Sequence, residues 1–464
     1  MQLVVAIRLA VMMFLQFLIW GAWYVTAPRA LSLLGFSPED FGWTYSVGPI
    51  AGMISPIFVG LIADRYMPTQ VVLGIMHLLG AAAMYGAIVM MGQGASPDTI
   101  NLLFFLHMLC YFPTLALTNS LAMQNMSDTS KLFPLVRVFG TFGWIAAGFA
   151  LNALDLANNV GMFELAAGAS ALLGIYSFTL PHTPPPGKGQ KFRIGDALGL
   201  DALVLLKRPS YFTFMLSSFL ICIPLAFYYQ MAERTLIAGG VSDTEVKMTF
   251  GQISEIFFMV AMPLFFARLG VKWMLLVGMF AWVVRYALFA IGTPNEVTWM
   301  LLSGVILHGI CYDFFFVTGQ IYTDQAAPPE IRSQAQGMLV LFTLGLGMLI
   351  GAQIGGRVES AFTPAESTRL AQQASDLREE AKAEGVTPAE AEAKEAEAVA
   401  ISRQALAAKN WKMIWALPAI GAAVILALFT VTFKEDPPTA IDPVLVDPVV
   451  PAGDSGGQPE PAPA

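Results

Sequence analysis

Long apolar segments recur along the whole sequence, and they constrain its fold more than any other feature. A helix needs about 20 apolar residues to cross the hydrocarbon core of a bilayer. Twelve segments reach that length, and lipid favours helices for them because every backbone polar group must be satisfied internally. The predicted spans are 4–28, 41–63, 69–92, 98–122, 134–156, 159–180, 210–232, 245–267, 271–292, 297–322, 333–357 and 411–433.

The composition argues against a set of soluble domains. Hydrophobic residues make up 56% of the chain and charged residues 12%, whereas an ordinary globular domain is about 25% charged. We therefore predict an all-α membrane protein with twelve transmembrane helices. The three cysteines, Cys110, Cys222 and Cys311, lie inside apolar runs, which indicates packing rather than disulfides or metal ligation.

The net charge of −8 reflects solvated segments, because nearly half of the acidic residues lie in the Ala/Glu-rich stretch 363–410 and in the C-terminal tail. The sequence contains no basic patch of the kind that indicates binding to nucleic acid. We expect no cofactor and no metal.

A polar, Pro/Gly-rich linker follows the sixth predicted span, with the sequence PHTPPPGKGQKFRIGDALGLDALVLLKRPS. It divides the chain into an N-terminal six-helix bundle (1–181), a cytoplasmic linker (182–208) and a C-terminal six-helix bundle (209–434). Such a 6+6 division is typical of major facilitator transporters.

Two segments are expected outside the membrane. The stretch 363–410 contains TPAE twice, each a capping box with Pro at the first helical position, and Gly385 lies between them. We predict two solvated helices joining spans eleven and twelve; a binding role is the alternative. The Pro-rich tail, 435–464, is predicted to be disordered and cytoplasmic.

Lys and Arg residues in the short loops predict the orientation, since they are enriched on the cytoplasmic side. An N-terminus inside assigns to that side Arg8, Arg65, Lys131, Lys188, Lys191, Arg193, Lys207, Arg208, Arg268, Lys272, Arg332 and Lys434. The opposite short loops contain Arg29, Arg234 and Lys247. We therefore expect both termini in the cytoplasm.

Ionisable residues inside the spans are the strongest functional candidates, because they usually face a cavity or another charge. Five lie well within predicted spans: Arg137, Glu255, Arg285, His308 and Asp313. A satisfied structural acid is the alternative for Asp313, which stands in the aromatic stretch GICYDFFFVTG. Arg285 is expected to neutralise a carboxylate and hold two helices together. His77 and His107 are predicted to pack.

Helical spacing groups some of these residues on common faces. Arg137, Thr141 and Trp144 fall at i, i+4 and i+7 of span five, which is one helical stripe. Gln252 and Glu255 share a face of span eight at i and i+3. His308 and Tyr312 share a face of span ten at i and i+4, next to Asp313. This mixture of polar groups and rings predicts a polar organic solute with a flat ring, although each ring alone is explained by packing.

The chain resembles the nucleoside–proton symporters of the major facilitator superfamily over nearly its whole length. The matching segments are FLQFLIWGAW (14–23), YFPTLALTNS (111–120), PLVRVFGTFGW (134–144), QISEIFFMVAMPLFF (252–266), AWVVRYALFAIG (281–292), HGICYDFFFVTG (308–319) and IRSQAQGM (331–338). Their order along the chain makes the resemblance specific.

In that family the nucleoside lies between the two halves. The resemblance implies a substrate site formed by Arg137, Thr141, Trp144, Tyr229, Gln252, Glu255, His308, Tyr312 and Asp313. Two departures concern this site. Ala226 and Tyr229 stand where a related permease has a Gln and an Asn, and His308 replaces a Tyr, so base or sugar preference could differ.

We predict three kinds of role for these side chains. Glu255 and Asp313 are the proton-coupling candidates, because burial and nearby charges control how readily a carboxylate takes up a proton. Arg137 is their charge partner. Hydrogen bonds to hydroxyls or base edges are assigned to Gln252 and Thr141, and stacking on the ring to Trp144 and Tyr312.

The predicted function is import of nucleosides by proton symport, through alternating access, at a bacterial inner membrane. The expected partners are the nucleoside, protons and membrane lipids, and the expected state is a monomer. One alternative is a proton symporter for another polar solute, such as a sugar. Another is a non-transporting receptor that uses 363–410 as its interaction surface. No nucleophile–base arrangement or phosphate-binding loop indicates an enzyme.

Overall fold

The structure, a computed structural model, describes residues 3–126, 129–185, 200–328, 331–381, 383 and 385–434. The regular elements of these residues are helices. The predicted tail at 435–464 and most of the predicted linker, 186–199, lie outside the described residues.

The first half contains α1 Leu3–Gly21, α2 Ala27–Ser32, α3 Pro38–Arg65, α4 Thr69–Gly92, α5 Pro97–Gln124, α6 Thr129–Ala153 and α7 Gly161–Ser177. A 3-10 helix, Leu200–Lys207, precedes the second half. The second half contains α8 Pro209–Ala238, α9 Thr244–Met248, α10 Phe250–Gly292, α11 Thr298–Ile306, α12 His308–Cys311, α13 Thr318–Ala326, α14 Arg332–Val340, α15 Met348–Ala361, α16 Ala365–Ala381, α17 Pro388–Ala407 and α18 Trp411–Thr432. Two π-helical segments, Tyr312–Val317 and Leu341–Gly347, connect α12 to α13 and α14 to α15.

Ten stretches of the described residues are long and apolar enough to cross a membrane. One of them, Thr244–Gly292, has 49 residues and contains Gly270, whose φ of 66° and ψ of −179° break the helix. This stretch therefore supplies two crossings. Helix α7 has 17 residues and spans about 25 Å at 1.5 Å per residue. With these two additions, twelve crossings lie in the part of the chain that the structure describes, as the sequence predicts.

Each half has its own hydrophobic core. One core consists mainly of side chains between Leu9 and Leu180, and the other of side chains between Ala202 and Phe433. Ala352 of the second half joins the first core, and Val25 packs against the second. The halves are thus two bundles, each with its own core, and α15 of the second packs against α3 of the first. This is the arrangement expected of a major facilitator fold.

Small residues let neighbouring helices approach closely within each bundle. A Cβ at Gly143 of α6 would clash with the carbonyl of Phe14 in α1, and a Cβ at Gly309 of α12 would lie 2.5 Å from the Ser254 carbonyl oxygen in α10. Close backbone approach at glycine is a common way for helices to associate in lipid. Lipid tails are as apolar as the side chains, so packing rather than the hydrophobic effect holds the helices together.

Helices α16 and α17 pack against each other as a hairpin. Gly385 between them has a φ of 91°, and the predicted capping box at Thr387 is confirmed, with its hydroxyl accepting from Glu390 N. The hydroxyl of Thr363 instead donates to Glu359 O at 2.7 Å. Ala374, Ala398 and Ile401 form a small core between the two helices.

Two local expectations are wrong. The first predicted span, 4–28, ends earlier, since α1 stops at Gly21 and α2 begins at Ala27. Arg234 does not lie in a short loop: helix α8 continues to Ala238, and Arg234 is 1% exposed inside it. A buried ion pair that the sequence pattern did not reveal keeps Arg234 inside the helix, as described below.

Candidate functional site

A cavity lies between the two halves. It encloses about 410 Å³ of space not filled by atoms, part of it open to solvent. Its walls come from α1, α6, α8, α9, α10 and the turn after α1, with the lining residues Gly21, Val25, Thr26, Trp144, Gly148, Leu151, Tyr228, Tyr229, Glu245, Met248, Thr249 and Gln252. Three of the predicted substrate residues, Trp144, Tyr229 and Gln252, are among them.

The polar groups of this cavity wall are incompletely satisfied. The Oε1 atom of Gln252 is buried and has no hydrogen-bond partner among the described residues. Tyr229 packs its ring against Tyr24 of the other half, with ring centroids 5.8 Å apart. Trp144 contacts Trp20 edge-on at 5.6 Å. The cavity therefore offers both flat ring surfaces and a free amide oxygen.

The two predicted proton-coupling acids lie beside one another in the second half. Asp313 is completely buried, and both of its carboxylate oxygens are without a hydrogen-bond partner in the described part of the chain. Glu255 is partly exposed, at 16% of its side chain, and its Oε2 lies 4.0 Å from His308 Nε2. Helix α10, which carries Glu255, packs against the segment that contains Asp313. A buried carboxylate without partners is costly while it is ionised.

Asp313 lies in the π-helical segment Tyr312–Val317. A π segment shifts the register of the residues that follow it and is frequent at functional sites. No Pro or Gly marks this segment in the sequence, so its change of helix type was not predictable. The predicted neighbours His308 and Tyr312 do share a face, with their rings 5.9 Å apart and inclined by 29°.

Arg137 approaches this acid pair from the first half. Its guanidinium carbon lies 4.1 Å from the centre of the Phe17 ring, and α6, which carries Arg137, contacts α10, the helix of Glu255. Within the described residues Arg137 forms no direct ion pair with either acid. Phe17 rather than a carboxylate therefore holds the guanidinium of Arg137. Its role as charge partner of the two acids stays a prediction.

The remaining predictions fall in different places. Thr141 is half-buried on α6 between Arg137 and Trp144, and it does not line the cavity. The expectation for Arg285 is wrong, because this fully buried side chain pairs with no carboxylate in the described chain and instead donates from Nε to Gly304 O at 2.9 Å. His77 and His107 have hydrogen-bond partners inside the first bundle, Gln16 Oε1 at 2.8 Å and Gly80 O at 2.9 Å.

A set of charged and hydrogen-bonded side chains, here called the latch, lies at the end of the cavity that carries α2 and α9. This end is here called the Arg29 end. Arg29 Nη1 donates to Glu245 Oε2 at 2.9 Å and lies 3.6 Å from Glu233 Oε1. Asn152 of α6 donates to Glu245 Oε1 at 2.9 Å, and Thr244 donates to Glu233 Oε1 at 3.0 Å. Arg29 and Asn152 belong to the first half and the two acids to the second, so the latch joins the halves.

Backbone contacts at glycine reinforce the Arg29 end. A Cβ at Gly148 of α6 would lie 2.6 Å from Thr249 Cγ2 and 2.8 Å from the carbonyl oxygen of Glu245. A Cβ at Gly356 of α15 would lie 2.7 Å from the carbonyl oxygen of Pro38. The halves therefore touch here at two places where only glycine fits without a shift.

A buried ion cluster joins the hairpin to the same end. Arg234 donates to both carboxylate oxygens of Glu359, at 2.6 and 2.8 Å, and Lys409 donates to Glu359 Oε1 at 2.5 Å. The Arg234 guanidinium also lies 4.5 Å from the centre of the Phe41 ring in the first half. Sequence reasoning missed the latch and this cluster, although three acids and three cations at the ends of apolar runs were the available signal.

Comparisons with known proteins agree with this architecture. The profile of the family described as Nucleoside H+ symporter matches residues 3–374. The protein YegT of Escherichia coli (strain K12) is 38% identical over 438 residues, which is 92% of this chain and 93% of YegT. The xanthosine permease of the same organism is 31% identical over 375 residues, which is 77% of this chain and 89% of that protein.

A solved structure extends the similarity to three dimensions. The crystal structure of the nucleoside transporter NupG matches with a TM-score of 0.76 at 26% identity, covering 94% of this chain and 100% of that chain. The match therefore extends over the fold of both halves.

Proposed function

Because the chain belongs to the nucleoside H⁺ symporter family, we propose that it carries nucleosides together with protons across a bacterial inner membrane. One observation supports this most: the cavity between the halves combines ring surfaces with Gln252, whose Oε1 has no hydrogen-bond partner among the described residues, and Glu255 follows Gln252 one turn along α10. A nucleoside presents a flat base and several hydroxyl groups, so it complements such walls.

The proposed substrate contacts follow from chemistry. Trp144, Tyr229 and Tyr312 would stack on the base, and each such contact contributes about 1 kcal/mol. Gln252 would bind hydroxyls or base edges from the cavity wall, with a net contribution of about 1 kcal/mol per hydrogen bond. Thr141, which lies outside the cavity lining in this state, would make such a bond in another state of the transport cycle. The remaining proposed contacts come from the charged or titratable side chains Arg137, Glu255, His308 and Asp313.

We propose that Asp313 and Glu255 couple transport to the proton. Asp313 is buried without a partner, and Glu255 is partly exposed beside His308. A proton on either carboxylate removes a charge that is costly in a low-dielectric interior. Rocking of the halves, which changes access of water to these acids, would then load the proton on one side and release it on the other.

Alternating access requires that the Arg29 end open. The structure is closed at this end, because Arg29 pairs with Glu245 and α6 contacts the second half at Gly148. For a solute to pass from this side, both contacts must separate, after which the rocking of two bundles about the cavity gives access.

Orientation, domain limits and assembly are further proposals. The bias of Lys and Arg in the short loops favours cytoplasmic termini, which would place the Arg29 end and the hairpin outside. The limits 1–181, 182–208 and 209–434 follow the Pro/Gly-rich linker, with 363–410 as an extramembrane insert. We propose a monomer, since each chain supplies both walls of the cavity.

Uptake into proteoliposomes tests the function. Purified protein is reconstituted, and uptake of labelled uridine is followed with and without an inward proton gradient, in the presence of unlabelled nucleosides or sugars. Accumulation above equilibrium that needs the gradient, with competition by nucleosides alone, is expected. Competition by sugars would favour a symporter for another polar solute.

Two variants sharpen this test. Arg137→Ala should weaken nucleoside binding, and an unchanged affinity would remove Arg137 from the site. Deletion of 365–407 distinguishes a transporter from a receptor, because a solvated hairpin is expected to be dispensable for uptake. Lys409 is retained in this deletion so that the Glu359 cluster stays intact.

A further inference from the structure

Arg285 of α10 is a buried cation in the interior of the second bundle. It is completely buried, its Nε donates to Gly304 O at 2.9 Å, and its guanidinium carbon lies 4.0 Å from the centre of the Tyr228 ring. Its Nη1 and Nη2 atoms are buried and have no hydrogen-bond partner among the residues that the structure describes.

This environment is costly for a charge. A buried cation is normally paired with an acid, and removal of its partner leaves an uncompensated charge. Arg285 has one backbone carbonyl and one ring face in place of an acid. A cation–π contact contributes up to about 2 kcal/mol when it is desolvated, which only partly offsets burial. An intramembrane cation kept at such a cost indicates a functional position.

The ring under Arg285 leads to the candidate site. Tyr228 lines the cavity, and its ring is nearly parallel to that of His308, with centroids 5.5 Å apart and an angle of 15°. His308 Nε2 in turn lies 4.0 Å from Glu255 Oε2. Arg285, Tyr228, His308 and Glu255 therefore form a continuous column from the interior of the bundle to a proposed proton-coupling acid.

We infer that Arg285 is a positioning residue that acts through Tyr228. Its guanidinium packs on the Tyr228 ring and fixes the orientation of that ring. The Tyr228 ring stacks on the His308 ring and so holds His308 beside Glu255. Arg285 reaches neither the cavity nor the acid itself. The role of Arg285 in transport rests on the proposed function, whereas its effect on the position of His308 is independent of that function.

Chemical modification of histidine tests the column independently of transport. Diethyl pyrocarbonate is applied to the full-length protein and to Arg285→Met, and modification is quantified for each histidine by mass spectrometry. His182, which is exposed, is the internal reference, and His77, buried in the other half, reports general loosening. Loss of the cation–π contact should raise the rate at His308 about fivefold relative to His182 and leave His77 unchanged.

Two outcomes of this experiment contradict the inference. An unchanged rate at His308 means that Arg285 does not hold it. Equal increases at His308 and His77 mean that Arg285 only stabilises the fold through Gly304.

A double-mutant cycle tests the route through Tyr228. Uridine uptake is measured for Arg285→Met, for Tyr228→Leu and for the double variant, and KM and kcat are determined separately. Each single substitution should raise KM about fivefold with little change in kcat. The double variant should match Tyr228→Leu alone, and Arg285→Lys, which keeps the charge but loses the planar group, should recover part of the affinity.

If the KM increases of the two single variants multiply in the double variant, Arg285 does not act through Tyr228. If no variant and not even the unmodified protein takes up uridine, the proposed function fails, while the histidine modification still decides whether Arg285 positions His308.

Discussion

Arg29 and Glu245 are hydrogen-bonded across the boundary between the two bundles, with Arg29 Nη1 2.9 Å from Glu245 Oε2. The two residues are 216 positions apart in the chain. Glu245 also lines the cavity, so the contact that joins the halves forms part of the cavity wall. Opening of the cavity at this end therefore requires that a partly buried ion pair break.

Removal of the Arg29 side chain should favour the open state at this end. In a variant without Cys110, Cys222 and Cys311, a single cysteine replaces the buried cavity residue Leu151, and its reaction with a membrane-impermeant thiol reagent is followed. Arg29→Gln should increase the labelling rate about tenfold, the change that corresponds to roughly 1.4 kcal/mol. Arg369→Gln on the exposed face of the hairpin is the control, and equal rates in both variants would mean that Arg29 is no latch.

A side chain at Gly148 should also keep the halves apart. A Cβ there meets Thr249 Cγ2 at 2.6 Å and Glu245 O at 2.8 Å, whereas a Cβ at Gly168 meets nothing within 4 Å. Gly148→Ala should therefore raise labelling of the same reporter cysteine and slow uptake, while Gly168→Ala should change neither. An unchanged labelling rate in Gly148→Ala would show that the close contact at Gly148 is not needed to close the Arg29 end.

The Glu359 cluster should contribute strongly to stability. Arg234 is 1% exposed and pairs with Glu359, which is completely buried. Arg234→Met leaves Glu359 with Lys409 alone, and loss of one partner of a buried pair costs about 3 kcal/mol. The exposed pair of Lys394 and Glu380 is the control, since Lys394→Met should cost less than about 1 kcal/mol. Thermal unfolding in detergent checks both, and similar melting temperatures for the two variants would contradict the difference.

The start of α17 should depend on pH. Hydrogen bonds from the backbone N–H and the hydroxyl of Thr387 hold the pKa of Glu390 below its ordinary value of 4.5. A depressed carboxyl pKa stabilises the folded form above 4.5, and this stabilisation is lost as the pH falls through the lower pKa of the folded state. Hydrogen exchange in the first turn of α17, corrected for the intrinsic rate, should therefore speed up in acid.

Glu390→Gln is the matched variant for this measurement. It keeps a hydrogen-bonding group at the same position but cannot ionise, so its exchange in the first turn should not depend on pH. A response to acid that is equal in Glu390→Gln and in the unmodified protein would place the effect elsewhere.

The sequence predicted the membrane helices well, because length and hydrophobicity determine them directly. Helix α4 has the predicted limits, Thr69–Gly92, and the capping box at Thr387 was read from four residues. The break after Gly21 was missed because the apolar run continues through it to Ala27. A bilayer needs hydrophobic residues there whether or not the helix is continuous.

The sequence predicted some residues of the cavity wall, but not how charged side chains pair. Gln252, Trp144 and Tyr229 do line the cavity. The pairing of Arg29 with Glu245 was not predictable, because it depends on how two bundles pack and no local pattern encodes it. The expected acid beside Arg285 was wrong for a related reason: a ring on another helix, Tyr228, occupies that place.

The most direct test of the account is proton-driven accumulation by Asp313→Asn in proteoliposomes. Asp313 is buried without a hydrogen-bond partner among the described residues, and Asn has nearly the same shape but binds no proton. We predict that the variant no longer accumulates labelled uridine in response to an inward proton gradient, while exchange of uridine between the two sides continues. Full accumulation by Asp313→Asn would contradict the coupling role of this carboxylate.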